Sequence, residues 1–151
     1  MRLVVAAVGR GRDDPAQRLF EDYRKRLPWP LELREVRAGG GGEAGREREA
    51  AALLKGLPAD AYVVALDGGG KALTSEEFAT RLADIRDDGT AVMAFLIGGA
   101  DGHGAPVLAR ADMALSLGPM TWPHLLVRAM LAEQLWRAAS ILSGHPYHRG
   151  A

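Results

Sequence analysis

Two glycine-rich segments follow the most apolar runs of this chain. Residues 66–71 (LDGGGK) follow an apolar run at 62–66, and residues 97–102 (IGGADG) follow another at 91–97. In open α/β sheets, ligands bind beyond the carboxyl ends of the strands, and glycine lets the backbone approach a ligand closely. One such segment alone is more simply a tight turn. Two of them on neighbouring buried strands indicate a binding site.

A third segment, residues 115–128 (LSLGPMTWPHLLVR), precedes a long helical pattern. Pro119 and Pro123 each remove a backbone donor and fix φ, so the segment is stiff and leaves carbonyl groups available as acceptors. An adenine ring offers donors that such carbonyls recognise. Pro123 also suits the first turn of a helix, so ordinary helix-start chemistry is the alternative interpretation.

Ionisable groups are concentrated in the last residues, at His145, Tyr147, His148 and Arg149. Such side chains can remove a proton, stabilise an anion or stack on a base, although a chain end is usually frayed. The two histidines lie three residues apart without an acidic neighbour in sequence, so we predict no metal site.

Two nucleotide-binding motifs are matched only formally. Gly40-x-Gly42-x-x-Gly45 has dinucleotide-binding spacing, but the strand before it, residues 31–36, alternates with charges, which is typical of a sheet edge. Gly70-Lys71 is followed by Ala72 and therefore lacks the hydroxyl of a Walker loop.

The elements that must position these residues alternate along the chain. Short apolar runs rich in Val and Ile alternate with helical patterns, which predicts an α/β fold with a mainly parallel sheet and helices on both faces. The predicted strands are residues 3–8, 31–36, 62–66, 91–97 and 113–117. The predicted helices are residues 15–26, 45–54, a helix that begins after a Thr74–Glu77 capping box, and 124–143. Without an internal repeat or linker, residues 1–151 are predicted to form one domain.

Composition excludes several classes of protein. The chain has 151 residues, of which 48% are hydrophobic, and its 19 basic and 19 acidic side chains give no net charge. It has no Cys, so disulfides, thiolate metal sites and cysteine nucleophiles are excluded. No segment has the pattern of a signal peptide or a membrane span, and we expect a cytoplasmic protein without a membrane partner.

Charge is unevenly distributed. Residues 1–55 hold 12 basic and 9 acidic side chains, whereas residues 56–151 hold 7 and 10. Basic side chains crowd around the first strand end and the helix after it: Arg10, Arg12, Arg24, Lys25 and Arg26. A solvated helix face is the simplest interpretation of such a cluster.

The motifs together resemble the ribosomal RNA large subunit methyltransferase H family, of the SPOUT class. The resemblance rests on Leu66-Asp67 to Lys71, Ile97-Gly-Gly to Gly102, Leu115-Ser-Leu, Met120-Thr-x-Pro-His to Arg128, and the ending 145–149 (HPYHR), and it covers essentially the whole chain. It implies an S-adenosylmethionine-dependent enzyme that methylates N3 of a pseudouridine in 23S rRNA.

The resemblance also implies a site and an architecture. It implies a C-terminal trefoil knot and a homodimer, with the apolar face of the helix after His124 at the dimer interface. Cofactor binding falls on Leu66, Asp67, Gly98, Gly99, Leu117, Gly118, Pro119, Met120, Thr121, Trp122 and Pro123. We assign removal of the N3 proton to His148, stabilisation of the resulting anion or of a phosphate to Arg149, and stacking or hydrogen bonding to Tyr147.

Two other functions are compatible with the same residues. One is a SPOUT methyltransferase for another rRNA site or for tRNA, and the other is a non-catalytic nucleotide-binding α/β module. A small domain without net charge binds naked RNA weakly, so we predict that the substrate is 23S rRNA within the large subunit or the assembled ribosome.

Overall fold

The computed structural model describes residues 1–149, which form five strands and five helices in alternation. In chain order these are β1 (Arg2–Val8), α1 (Pro15–Arg24), β2 (Leu31–Val36), α2 (Gly42–Leu54), β3 (Tyr62–Ala72), α3 (Ser75–Asp87), β4 (Val92–Ile97), α4 (Ala105–Arg110), β5 (Met113–Ser116) and α5 (His124–Ser143).

All five strands belong to one parallel sheet in the order β2-β1-β4-β3-β5. β4 is buried along its whole length, as its unbroken apolar sequence predicts. β2 lies at an edge, as its alternation with charges predicts. Because the strands are parallel, all their carboxyl ends lie along one edge of the sheet.

Helices cover both faces of the sheet, as predicted. Leu3, Val5 and Ala7 of β1 pack with α1, α3 and α5, whereas the alternate residues Val4 and Ala6 pack with α2 and α4. α5 has the predicted bounds, and the Thr74–Glu77 capping box is present at the start of α3.

Three sequence predictions differ from the structure. β3 does not end at Leu66: the chain bulges outward and pairs with β5 again at Lys71 and Ala72. This close return needs glycine, because a Cβ on Gly70 would lie 2.6 Å from the backbone of Ala114. The short helix α4 was not predicted, since its six residues are too few to show a clear periodicity.

The third difference concerns the apolar face of α5. Ala129, Ala132 and Ala139 are buried in the core of their own subunit, so of the predicted apolar face only residues such as the partly exposed Leu125 and Trp136 are available to a second subunit, and a dimer interface at α5 stays a prediction. The trefoil knot stays a prediction, because strand order does not establish how the chain is threaded. No helix within residues 1–149 has both the length and the apolar character that crossing a membrane requires.

Candidate active site

The three segments singled out in the sequence meet at one cavity on the carboxyl edge of the sheet. The cavity has a volume of about 480 Å³ and lies at the ends of β4 and β5 and at the bulge of β3 after Leu66. All eleven predicted cofactor residues line it: Leu66, Asp67, Gly98, Gly99, Leu117, Gly118, Pro119, Met120, Thr121, Trp122 and Pro123. Sequence order separates these residues widely, and the strand order brings them together.

Ser116 joins two of these segments. Its hydroxyl accepts a hydrogen bond from the Gly118 amide at 3.1 Å and lies 3.2 Å from the carbonyl oxygen of Gly68. The indole of Trp122 donates to the carbonyl of Leu117 at 3.3 Å, which closes the third segment on itself. The wall of the cavity is therefore held by side-chain bonds to the backbone.

Glycine is strongly favoured at two points of this wall. Gly118 has a φ of +104°, which is strained for any residue with a Cβ. A Cβ on Gly98 would lie 3.0 Å from the carbonyl carbon of Gly102, because the chain turns back immediately after β4. Met120, by contrast, is 73% exposed at the mouth of the cavity.

Two buried ionisable residues behind the cavity were not found from the sequence. His103 lies 2.9 Å from the carbonyl oxygen of Leu96, and burial lowers the pKa of its imidazole. Glu49 accepts a hydrogen bond from the Gly39 amide at 2.8 Å, and its carboxylate borders Gly99. Glu49 stands in a run of charged residues, so nothing in its sequence context distinguishes it from solvated neighbours.

The predicted catalytic residues do not line the cavity. The tail after α5 folds back along that helix, where Tyr147 packs against Trp136 with ring centroids 5.7 Å apart. The guanidinium of Arg137 lies 5.0 Å from the centroid of the Tyr147 ring. Arg149 is exposed. The tail is thus docked rather than frayed, and its partners were not identified from the sequence.

His148 is held at both of its ring nitrogens. Nε2 lies 2.8 Å from a carboxylate oxygen of Glu76, and Nδ1 lies 3.1 Å from Nη1 of Arg137. Because Arg137 can only donate, Nδ1 accepts and Nε2 donates to Glu76. This hydrogen bond lowers the pKa of Glu76.

The hydroxyl group of Tyr147 in the docked tail has a raised pKa. Burial raises the pKa of Tyr147 to about 12, together with the neighbouring hydroxyl of Tyr23 at 3.4 Å and the carboxylate of Glu133 at 3.3 Å. The phenol therefore remains protonated at neutral pH and acts as a hydrogen-bond donor rather than a base.

The docked tail lies some distance from the cavity. Val127 is the last residue of α5 that lines the cavity, and Glu133 and Arg137 are six and ten residues further along the helix. At about 1.5 Å per residue these positions are about 9 and 15 Å from Val127 along the helix axis. The tail of one subunit is thus anchored away from that subunit's own cavity.

A second, apolar cavity of about 550 Å³ lies between the cofactor cavity and the docked tail. It is lined by Leu19 and Tyr23 of α1, by Met130 of α5, and by Leu117 and Gly118, which also line the first cavity. Leu19 is 42% exposed. An apolar surface therefore continues from the candidate cofactor cavity along α1 and α5.

The described residues, 1–149, contain no group of three or more His, Asp or Glu side chains placed to hold a metal ion. The cavity lining consists mainly of backbone, apolar side chains and the carboxylate of Asp67. Such a lining suits an organic ligand.

Residues 1–148 match the family described as predicted SPOUT methyltransferases. The chain is 57% identical over 151 residues to proteins from Rhodospirillum centenum and Paramagnetospirillum magneticum, and 51% identical over 152 residues to one from Rhodospirillum rubrum. All three are named ribosomal RNA large subunit methyltransferase H, and each match covers 99% of both chains.

Proposed function

The chain belongs to the SPOUT methyltransferase family, and on this basis we propose that it transfers a methyl group from S-adenosylmethionine to N3 of a pseudouridine in 23S rRNA. One observation carries the proposal: three segments that are distant in sequence converge on a single cavity. The full-length similarity to proteins named ribosomal RNA large subunit methyltransferase H supports the choice of substrate.

The residues around the cavity fit S-adenosylmethionine. Its volume of about 480 Å³ falls within the usual range for small-molecule sites. A Cβ added at Gly68 or Gly118 would meet nothing within 4 Å, so the backbone there borders open space. The apolar side chains of Leu66 and Leu117 suit a purine, and the Asp67 carboxylate suits a hydroxyl or ammonium group.

S-adenosylmethionine supplies a methyl group that is already activated by the sulfonium. The residues of the chain therefore have to orient two reactants and exclude water. Carbonyl groups in residues 117–123 would accept hydrogen bonds from the amino group of adenine, and the stiffness that Pro119 and Pro123 confer would keep these acceptors in place.

The remaining chemical task is removal of the N3 proton. An imide proton is weakly acidic, so a base and a nearby cation lower the barrier. We assign the base to His148 and stabilisation of the imide anion to Arg149. Tyr147, which keeps its proton, positions these residues or the uracil ring.

We further propose that the tail acts at the cavity of a second subunit. In its own subunit both ring nitrogens of His148 are engaged, and the α5 residues that anchor the tail lie about 9 to 15 Å along the helix from the cavity. The apolar surface of Leu19 and Met130 continues to the cavity at Leu117. A homodimer formed on this surface would cover it and bring a partner tail close to the cofactor.

The substrate is proposed to be the large subunit or the assembled ribosome in the cytoplasm. With 19 basic and 19 acidic side chains, the chain lacks the overall charge that strong binding of naked RNA requires. A preassembled particle presents the target nucleotide in a fixed shape.

The decisive experiment compares methyl incorporation from labelled S-adenosylmethionine into naked 23S rRNA, isolated large subunits and whole ribosomes lacking the modification. Mass spectrometry of the RNA then locates the methyl group. We expect N3-methylpseudouridine in particles and little in naked RNA. Cofactor binding without transfer to any of the three substrates would contradict the proposed activity.

A further inference from the structure

The carboxyl edge of the sheet has two halves: one holds the cofactor cavity, and the other carries arginine side chains. The cofactor cavity lies at the ends of β4 and β5 and at the bulge of β3. The other half, at the ends of β1 and β2, carries residues 9–14 and Arg37. The amide of Gly9 donates to the carbonyl of Val36 at 2.8 Å, so Arg10 and Arg37 follow directly from neighbouring strand ends.

The segment after β1 is held rigidly. The Gly11 amide donates to a carboxylate oxygen of Glu35, and Nη2 of Arg128 donates to the carbonyl of Gly9 at 2.9 Å. Arg12 has a φ of +48°, a left-handed conformation that costs a residue with a Cβ about 1 kcal/mol. Such strain persists only where surrounding contacts fix the backbone, and it is concentrated at functional sites.

The acidic side chains within residues 9–14, and Glu35, already have partners of their own. Asp13 pairs with Arg18 at 2.6 Å, Asp14 accepts from the Ala16 amide at 2.8 Å, and Glu35 pairs with buried Arg128. Arg10 also acts on Glu35, whose pKa it helps to lower, but forms no ion pair with it within residues 1–149.

Three exposed guanidinium groups of this half have no ion-pair partner within residues 1–149. They belong to Arg10, Arg12 and Arg37. The basic cluster seen in the sequence is thus divided by the fold, because Arg24 pairs with Glu21 and Arg26 lies over the ring of Tyr23.

The segment that carries Arg10 and Arg12 begins beside the cofactor cavity. A Cβ on Gly9 would be 3.2 Å from Nε2 of His124, and His124 lines the cavity. One guanidinium group can donate two parallel hydrogen bonds to two oxygens of a phosphate, because the spacing of its N–H donors matches that of the oxygens.

We propose that Arg10, Arg12 and Arg37 bind phosphate groups of the RNA strand that carries the target nucleotide. The inference rests on the proposed function and adds the surface that holds the substrate. It also explains how a chain without net charge acts on RNA: the local charge beside the cavity is positive although the total is zero.

The test is a triple variant in which Arg10, Arg12 and Arg37 are replaced by Gln. A matched control replaces Arg2, Lys55 and Arg86 by Gln. These cations lie near the amino ends of the strands, opposite to the cavity, and their replacement changes the net charge by the same amount. Both are assayed for methyl transfer to large subunits or ribosomes across a range of salt concentrations. Cofactor affinity is measured by calorimetry.

We expect the triple variant to raise the KM for the particle at least tenfold and to leave cofactor affinity unchanged. The slope of log KM against log salt should fall by about 2, since each phosphate contact on a single strand contributes about 0.7. Replacement of the three arginines by Lys should restore part of the affinity, because the charge is kept but the paired N–H donors of the guanidinium are lost.

A KM and a salt slope equal to those of the control would overturn the inference. So would crosslinks from positions 10, 12 and 37 that reach a ribosomal protein of the bound particle and not the rRNA backbone, because the arginines would then contact that protein. Failure of the proposed function is distinct: the wild-type protein itself would then methylate none of the substrates.

Discussion

The guanidinium of Arg128 is completely buried and forms an ion pair with Glu35, with Nη1 2.5 Å from Oε2. Arg128 stands on α5 directly after Val127, which lines the cofactor cavity, and Glu35 stands on the edge strand β2. Burial acts to raise the pKa of Glu35, but hydrogen bonds from Arg128 and the Gly11 amide lower it overall. This pair joins the cofactor half of the sheet edge to its basic half.

Replacement of Arg128 by Met should destabilise the protein by about 3 kcal/mol, because it leaves the carboxylate of Glu35 and the carbonyl of Gly9 without their partner. The free energy of unfolding in urea measures the effect. Arg86→Met, which removes an exposed pair with Asp87, should change it by less than about 0.5 kcal/mol. Equal losses in the two variants would show that the buried pair has no special role.

Asp67→Asn should weaken the binding of S-adenosylmethionine by about 10- to 100-fold, the usual effect of losing a hydrogen bond to a charged group. The substitution keeps the size of the side chain, so stability should change little. Calorimetric titration gives the affinity. Asp60→Asn, in an exposed position before β3, is the control, and a similar affinity for both variants would remove Asp67 from the cofactor site.

Tail variants and cavity variants should complement each other in mixed dimers. His148→Ala and Arg149→Ala should each abolish most methyl transfer while they retain cofactor affinity, whereas a cavity variant such as Gly118→Trp should lose both. Coexpression of a tail variant with a cavity variant restores one complete site per mixed dimer if the tail acts across subunits.

His145→Ala is the matched control for the tail, because it removes a histidine that packs on Trp136 without contacting Glu76. Wild-type rates of methyl transfer for both His148→Ala and Arg149→Ala would contradict the catalytic roles assigned to these residues, without affecting the assignment of the cofactor site. Failure of coexpression to restore any activity would place the tail at the cavity of its own subunit.

Tyr147 should make stability depend on pH in alkaline solution. Its pKa is about 12 in the folded protein and about 10 in an unfolded chain, so the folded state holds this proton more tightly. The resulting stabilisation is complete below pH 10 and is lost as the pH rises towards 12. Urea unfolding of the wild type and Tyr147→Phe at several pH values measures it.

The variant should lose stability less steeply than the wild type between about pH 10 and 12. Tyr62→Phe is the control, because Tyr62 lies on β3 and not in the docked tail. Parallel curves for the wild type and Tyr147→Phe would mean that Tyr147 ionises as it does in an unfolded chain.

Local periodicity was sufficient to predict most of the elements. α5 and the capping box at Thr74 follow from side chains that repeat or interact within a few residues, and the alternation of β2 with charges placed that strand at an edge. α4 was missed because six residues show too little periodicity. The end of β3 was misplaced because its bulge depends on contact with β5, a strand more than forty residues away.

The sequence by itself determined the chemistry available to this protein: glycine-rich strand ends, a proline-stiffened segment, a histidine and an arginine at the end of the chain, and no net charge. Only the tertiary structure decided which of these groups meet. Strand order gathered the three segments around one cavity. Packing on α5 docked the tail away from that cavity, and side-chain pairing distinguished Arg10 and Arg37, which have no ion-pair partner within residues 1–149, from arginines that are paired. The physical reason is that strand order and side-chain pairing depend on long-range packing, which a linear pattern does not encode.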